Sequence, residues 1–114
     1  MTNFDHGRAA EAKASLFLEK QGFRILEHNW RTRWCEIDIV AQKDRVIYLV
    51  EVKFRQKAFQ GSGLDYITGK KLQQMTFAAD FWVQAHDWQG DYSLAAVEVS
   101  GSNYDVTGFL PDLS

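Results

Sequence analysis

The chain has 114 residues, 46% apolar, 14% aromatic and 25% charged, which excludes a disordered or low-complexity protein and suits one domain, 1–114, with its own core. Its net charge of −2 excludes a uniformly basic polyanion binder, but residues 1–79 hold all 13 Lys and Arg against nine acids, while 80–114 hold six acids and no base. Any phosphate-contacting face must therefore come from the first two-thirds, whereas the acidic end reads as solvated surface.

No apolar run approaches the roughly 20 residues of a membrane span, and the polar start lacks the apolar stretch of a secretory signal. The lone cysteine, Cys35, has no partner for an internal disulfide and excludes a cysteine-rich zinc module. The expectation is a cytoplasmic protein without a membrane partner.

The elements follow one another closely. Asp5 to Gln21 reads as a helix of strong formers, with Asp5 as N-cap and Gly22 as its stop. Phe23 to Trp30 reads as an irregular strand. Cys35 to Gln42 alternates, placing Ile37, Ile39 and Ala41 on one face. Arg45 to Phe54 is a longer β-rich run, and Lys43-Asp44-Arg45 makes the turn between the two. Gln56 to Tyr66 is a polar, Gly-containing loop. Thr68 caps a second helix to about Ala85, with Leu72, Met75, Phe77, Ala79 and Phe81 as core candidates. Tyr92 to Val99 and Tyr104 to Leu110 close the chain as strands. The order α-β-β-β-α-β-β implies an α/β or α+β sheet with its helices on one or both faces.

Strand alternation puts Glu36 with Asp38 on one face and Glu51 with Lys53 on one face of the next strand. If the hairpin turns between Asp44 and Arg45, residues whose numbers add to 89 oppose each other. Asp38 then faces Glu51 and Glu36 faces Lys53, with Cβ atoms about 5 Å apart. Two adjacent carboxylates repel and raise one pKa unless a cation intervenes. A hard divalent ion answers that need better than one flexible ammonium. Glu11 shares the helical stripe of Ala14 and Leu18, where an acid wants a partner or a metal. The competing readings are an exposed sheet face with cross-strand ion pairs and a Glu11 that snorkels to water.

Asn29-Trp30-Arg31-Thr32-Arg33-Trp34 interleaves cations with aromatics, a pattern that contacts phosphates and stacks on unpaired bases, or else a surface loop with one Trp folded inward. Lys53, Arg55, Lys57, Lys70 and Lys71 can line a groove beside the acids. Lys70 and Lys71 sit in the first turn of a helix, where the dipole disfavours cations. His6, His28 and His86 lack metal-ligand spacing. No nucleophile elbow or phosphate-binding glycine loop is present.

Glu11, Glu36-Ile37-Asp38 and Val50-Glu51-Val52-Lys53, with Gly7, Ala14, Gly22-Phe23-Arg24-Ile25-Leu26 and Asn29 between and around them, resemble the PD-(D/E)XK nuclease superfamily. The layout over roughly residues 5–85 resembles the YraN-like bacterial proteins, predicted endonucleases distantly related to archaeal Holliday junction resolvases. The ordered set carries the likeness; Glu-X-Lys alone is common. It departs from the family at Cys35, where Gly is usual, and at Asp91-Tyr92-Ser93-Leu94.

The resemblance implies a restriction endonuclease-like mixed β-sheet flanked by α-helices. It implies Glu11, Asp38 and Glu51 as ligands of Mg²⁺ or Mn²⁺, with Lys53 beside the attacking water and a role in DNA repair or recombination. The expectation is an endonuclease acting on DNA, branched or single-stranded, with Arg31, Arg33, Arg55, Lys57, Lys70 and Lys71 on the nucleic acid. Resolvase-like nucleases often pair as homodimers, and Phe59, Tyr66, Trp82 and Trp88 are candidates for such an interface or, equally, for the core. The alternative is a non-catalytic nucleic-acid or protein interaction module on the same fold.

Overall fold

The computed structural model describes residues 3–56 and 67–113. Along them run α1 (Asn3–Lys20), β1 (Arg24–Arg31), β2 (Glu36–Lys43), β3 (Val46–Arg55), α2 (Gly69–Ala85), β4 (Asp91–Ser100) and β5 (Asp105–Leu110). This is the anticipated order. α1 begins at Asn3, so Asp5 lies in its first turn instead of capping it. Its end is a Schellman turn: Gly22 takes φ 97°, Gly22 N–H donates to the Glu19 carbonyl and Phe23 N–H to that of Leu18, each at 3.0 Å. Only glycine adopts that backbone without a Cβ penalty. Thr68 caps α2, its hydroxyl accepting from Lys71 N–H at 3.1 Å.

The strands form one mixed sheet in the order β1-β2-β3-β4-β5. β1, β2 and β3 meander antiparallel. β4 then runs parallel to β3, and β5 returns antiparallel to β4. Parallel neighbours need a long crossover, and α2 lies within it. Ala10, Ala14 and Leu18 of α1 pack on Ile39, Ala41, Val50, Ala95, Val97 and Val99. Ala78, Ala79 and Trp82 of α2 pack on Val40, Ile47 and Leu49. Because these strand residues alternate, the helices cover opposite faces.

The buried side of α2 is Met75, Ala78, Ala79 and Trp82, at i, i+3, i+4 and i+7. This corrects one expectation and decides another: Phe77 is not core but 53% exposed, and Trp82, open to either reading, belongs to the core at 4% accessible. Trp82 takes the interior because its indole N–H reaches the Glu27 carboxylate of β1 at 2.5 Å, which satisfies the polar end of a large buried ring.

Among the described residues no helix is long and apolar enough to cross a membrane.

Candidate active site at the β2–β3 fork

The β2–β3 turn is Asp44-Arg45, with Asp44 at φ 57°. Residues whose numbers add to 89 do oppose each other, from Lys43 and Val46 to Ile39 and Val50. Main-chain pairing ends there. The next acceptor for β3 is a side chain: Asp38 Oδ2 receives the Val52 N–H at 2.8 Å. The strands fork at this point, and the carboxylate of one caps the backbone of the other.

The alternation of β2 breaks at the same place. Ile39 and Ala41 join the α1 core, but Ile37 joins the α2 core, so the expected common face for all three is corrected. β1 carries matching irregularities. Its register shifts between Ile25 and Glu27, and Asn29 adopts φ 51°. Asn29 lies across from Asp38, between the pairs His28–Ile39 and Trp30–Ile37. Asn tolerates the left-handed region better than most residues. These departures bring Asp38 into an open cleft of about 470 Å³ with Gly7 and Glu11 of α1 and Asn29 of β1.

Glu51 leans toward the other helix. Its Oε1 lies 2.9 Å from Lys71 Nζ on α2, in a second cleft of about 530 Å³ that includes Trp34, Lys70 and Phe77. Asp38 and Glu51 therefore approach the fork from opposite sides, instead of standing side by side on one face. Glu36 borders both clefts and holds Arg31 at 3.0 Å. Lys53 is exposed, two residues beyond Glu51 on β3.

The acids nevertheless feel one another. The Asp38 carboxyl is pushed up to about 7, first by burial, then by Glu51, with smaller contributions from Glu11 and Glu36. The Val52 N–H opposes the rise by stabilising the anion. Glu11 is also raised, chiefly by burial, against a hydrogen bond from Asn29 and the charge of His28. Perturbed carboxyls facing a cleft mark candidate functional sites.

Residues 10–107 match the family described as "Uncharacterised protein family UPF0102". This chain is a member of the UPF0102 family. The family is the YraN-like group indicated by the motifs. A UPF0102 protein from Cytophaga hutchinsonii is 33% identical over 93% of this chain and 94% of its own length. One from Sulfurihydrogenibium is 36% identical over 90% of each. One from Campylobacter jejuni is 32% identical over 95% of this chain and 92% of its own length.

In this UPF0102 chain the anticipated nucleic-acid contacts fall into three groups. Arg31, Arg33 and Lys70 are exposed, Arg33 lying 5.4 Å above the Trp34 ring. Arg55 and Lys71 face carboxylates. Arg55 Nε is 3.0 Å from Oε2 of Glu98, which is 2% exposed and also accepts the Thr107 hydroxyl at 2.7 Å. Lys57, Phe59 and Tyr66 lie outside the described residues. Trp88 is partly buried, its indole N–H donating to the Asp91 carbonyl at 2.8 Å. Cys35 is absent from the left-handed region. The turn before it is closed by Thr32, whose hydroxyl accepts from the Trp34 and Cys35 N–H groups at 3.1 Å each.

Sequence reasoning missed Asn29 and Glu36 as site residues. The signal for Asn29 was an Asn within a strand run, beside other irregularity. Glu36 was placed near Asp38 by alternation but given no role.

The donors suit a hard cation in type. Asp38, Glu11, Glu36 and Glu51 offer only oxygens, and Mg²⁺ needs just one or two carboxylates because it keeps several waters. Asp38 fits best, since its raised pKa reports negative charge without enough compensation. Glu51 fits once Lys71 moves aside. Among the described residues no group of three or more His, Cys, Asp or Glu is gathered to hold a metal.

Proposed function

We propose that this UPF0102 chain is a metal-dependent endonuclease that hydrolyses phosphodiester bonds in DNA. The observation that carries the reading is the strand fork, where Asp38 accepts the Val52 N–H within a cleft shared with Glu11 and Glu36; burial first, and then Glu51, push its carboxyl up to about 7. A solvated ion-paired sheet face would leave such a group near its ordinary value. A partly buried carboxyl held above its ordinary range beside other acids is poised to exchange its proton for a cation.

Asp38 and Glu51 would hold Mg²⁺ or Mn²⁺, with Glu11 at the margin toward α1. The ion would supply a bound water of lowered pKa and charge neutralisation at the phosphate. Asn29 orients Glu11, and the Val52 N–H fixes Asp38. Lys53 extends from the same strand end toward solvent, where its ammonium can hold an attacking water or offset charge on the phosphate oxygens. Lys71, released from Glu51, is available to a phosphate of the incoming strand. Arg33 and Lys70 supply positive charge around the opening, and Arg31 can join them when it leaves Glu36.

The test is a Mn²⁺-dependent cleavage screen over duplex, single-stranded, flap and four-way DNA. Cleavage by the native chain that is lost in Asp38→Ala and Lys53→Ala, with folding unchanged, is expected. Retention of the same cleavage in either variant overturns the assignment.

The Lys71–Glu51 ion pair favours a second reading, a non-catalytic nucleic-acid or protein interaction module in which a lysine has taken the place of the cation. That reading expects no cleavage on any substrate and no response of stability to Mg²⁺ or Mn²⁺.

A further inference from the structure

Beside the fork, α2 and the β1–β2 turn expose two aromatic rings, Trp34 and Phe77, linked by the half-buried Phe81, and none of the three belongs to the hydrophobic cores. Trp34 is 65% exposed and Phe77 is 53% exposed. Phe81 bridges them, its ring centre 5.8 Å from that of Trp34 and 6.2 Å from that of Phe77. Trp30, itself packed on the α2-side core, backs Phe81 at 5.9 Å. Single exposed apolar side chains are ordinary, but a contiguous exposed group marks a binding surface. The turn that carries Trp34 is held by three hydrogen bonds between Thr32 and the residues up to Cys35, so the ring is presented on a fixed support.

Charge selects the occupant. Trp34 and Phe77 line the same cleft as Lys70, Lys71, Glu36 and Glu51; Lys71 pairs with Glu51 and Arg31 with Glu36, which leaves the exposed Lys70 and the Arg33 guanidinium over the Trp34 ring as the cations that flank the rings. Rings with flanking cations form the surface that binds single-stranded nucleic acid: phosphates meet the cations and base faces meet the rings. A fully paired duplex hides its base faces in its own stack. An acidic peptide would satisfy the cations while leaving the rings without a counterpart.

We propose that Trp34, Phe81 and Phe77 form a platform that stacks unpaired nucleobases, so that the strand entering the fork carries unpaired bases immediately beside it. The placement next to a scissile bond rests on the nuclease reading above; the stacking itself does not.

The experiment separates the two. Fluorescence anisotropy in EDTA, where cleavage cannot occur, compares a labelled oligothymidine, an abasic backbone of equal length and a duplex. The native chain is expected to bind oligothymidine about tenfold tighter than the abasic strand. Trp34→Ala and Phe77→Ala are each expected to remove most of that difference while leaving abasic binding unchanged, and Trp34→Phe to keep it. Both positions are exposed, so thermal unfolding should match the native chain.

Equal binding of oligothymidine and abasic strand by the native chain overturns the platform, as does an equal loss on both in the alanine variants. If base preference is absent and Trp34→Ala dissociates a dimer in sedimentation, the surface joins two copies of this chain and the proposal is wrong. Base-dependent binding without metal-dependent cleavage sustains the platform and removes the nuclease reading. Asp38-dependent cleavage without base preference does the reverse.

Discussion

Asp38 on β2 accepts the Val52 N–H of β3 through its side chain at 2.8 Å, where the antiparallel ladder would otherwise continue. One carboxylate thus does two things: it ends the strand pairing and stays within reach of three other acids. The donated hydrogen bond stabilises the anion, while burial and the acids act against it, and the second effect wins because the carboxyl ends at about 7.

That balance has a pH consequence. Between about pH 4 and 7 the folded chain keeps a proton on Asp38 that the unfolded chain has released. Stability therefore falls as pH rises through this window, because the native state binds more protons than the unfolded one. Glu11, also raised, acts in the same direction. Asp38→Asn retains an oxygen for the Val52 N–H and cannot ionise. In metal-free urea denaturation it should be more stable than the native chain by roughly 1–3 kcal/mol at pH 8, converging with it near pH 4. A difference independent of pH would contradict the origin assigned to the shift.

Asn29 holds a left-handed backbone at φ 51° and bonds to Glu11. Asn29→Gly removes the bond but keeps the backbone; Asn29→Ala removes the bond and adds strain. The Gly variant should lose less than about 1 kcal/mol, and the Ala variant roughly 1–2 kcal/mol. Chemical denaturation of both gives the ordering, and an Ala variant as stable as the Gly variant would show that the backbone there is not constrained.

Arg55 was anticipated at a nucleic-acid contact, yet it faces a Glu98 that is 2% exposed. Removing one partner of a buried ion pair typically costs about 3–5 kcal/mol. With the Arg55 side chain partly accessible, Glu98→Ala should cost roughly 2–4 kcal/mol. Arg55→Ala should likewise lower stability more than it lowers oligonucleotide affinity, whereas Arg33→Ala should do the opposite. Calorimetry and anisotropy on the same preparations decide between a structural and a ligand-facing cation at each position.

How much was legible follows from how local each cause is. The end of α1 and the start of α2 were readable because Gly22 and Thr68 act on their own helices, whereas the start of α1 at Asn3 was not. The β2–β3 register was readable because a two-residue turn at Asp44-Arg45 fixes it. The parallel pairing of β4 on β3 depends on a crossover and left no local mark. Phe77 was misplaced in the core and Trp82 left open because both are large and apolar, and what decides between them is Glu27, 55 residues from Trp82 in sequence. The acids were legible as a set but not in their arrangement. Alternation assumes a regular strand, and β2 breaks at Asp38 while β1 breaks at Leu26 and Asn29.

The Lys71–Glu51 pair makes a final, opposed prediction for metal and nucleic acid. In the metal-free chain the Lys71 ammonium sits 2.9 Å from Glu51, so a divalent ion seeking that carboxylate must displace it. If the site has a Kd near 1 mM, Mg²⁺ at about ten times that concentration should stabilise the native chain by roughly 1.4 kcal/mol. Lys71→Met removes the competitor, so it should bind Mg²⁺ more tightly and show the larger thermal shift at subsaturating ion. The same variant loses a cation at the mouth of the cleft and should bind oligonucleotide more weakly, with a shallower salt dependence. Thermal melts across a Mg²⁺ titration and anisotropy across a salt titration test the two arms. A Lys71→Met chain with weaker metal response than the native one would mean that Lys71 organises the carboxylates instead of competing for them.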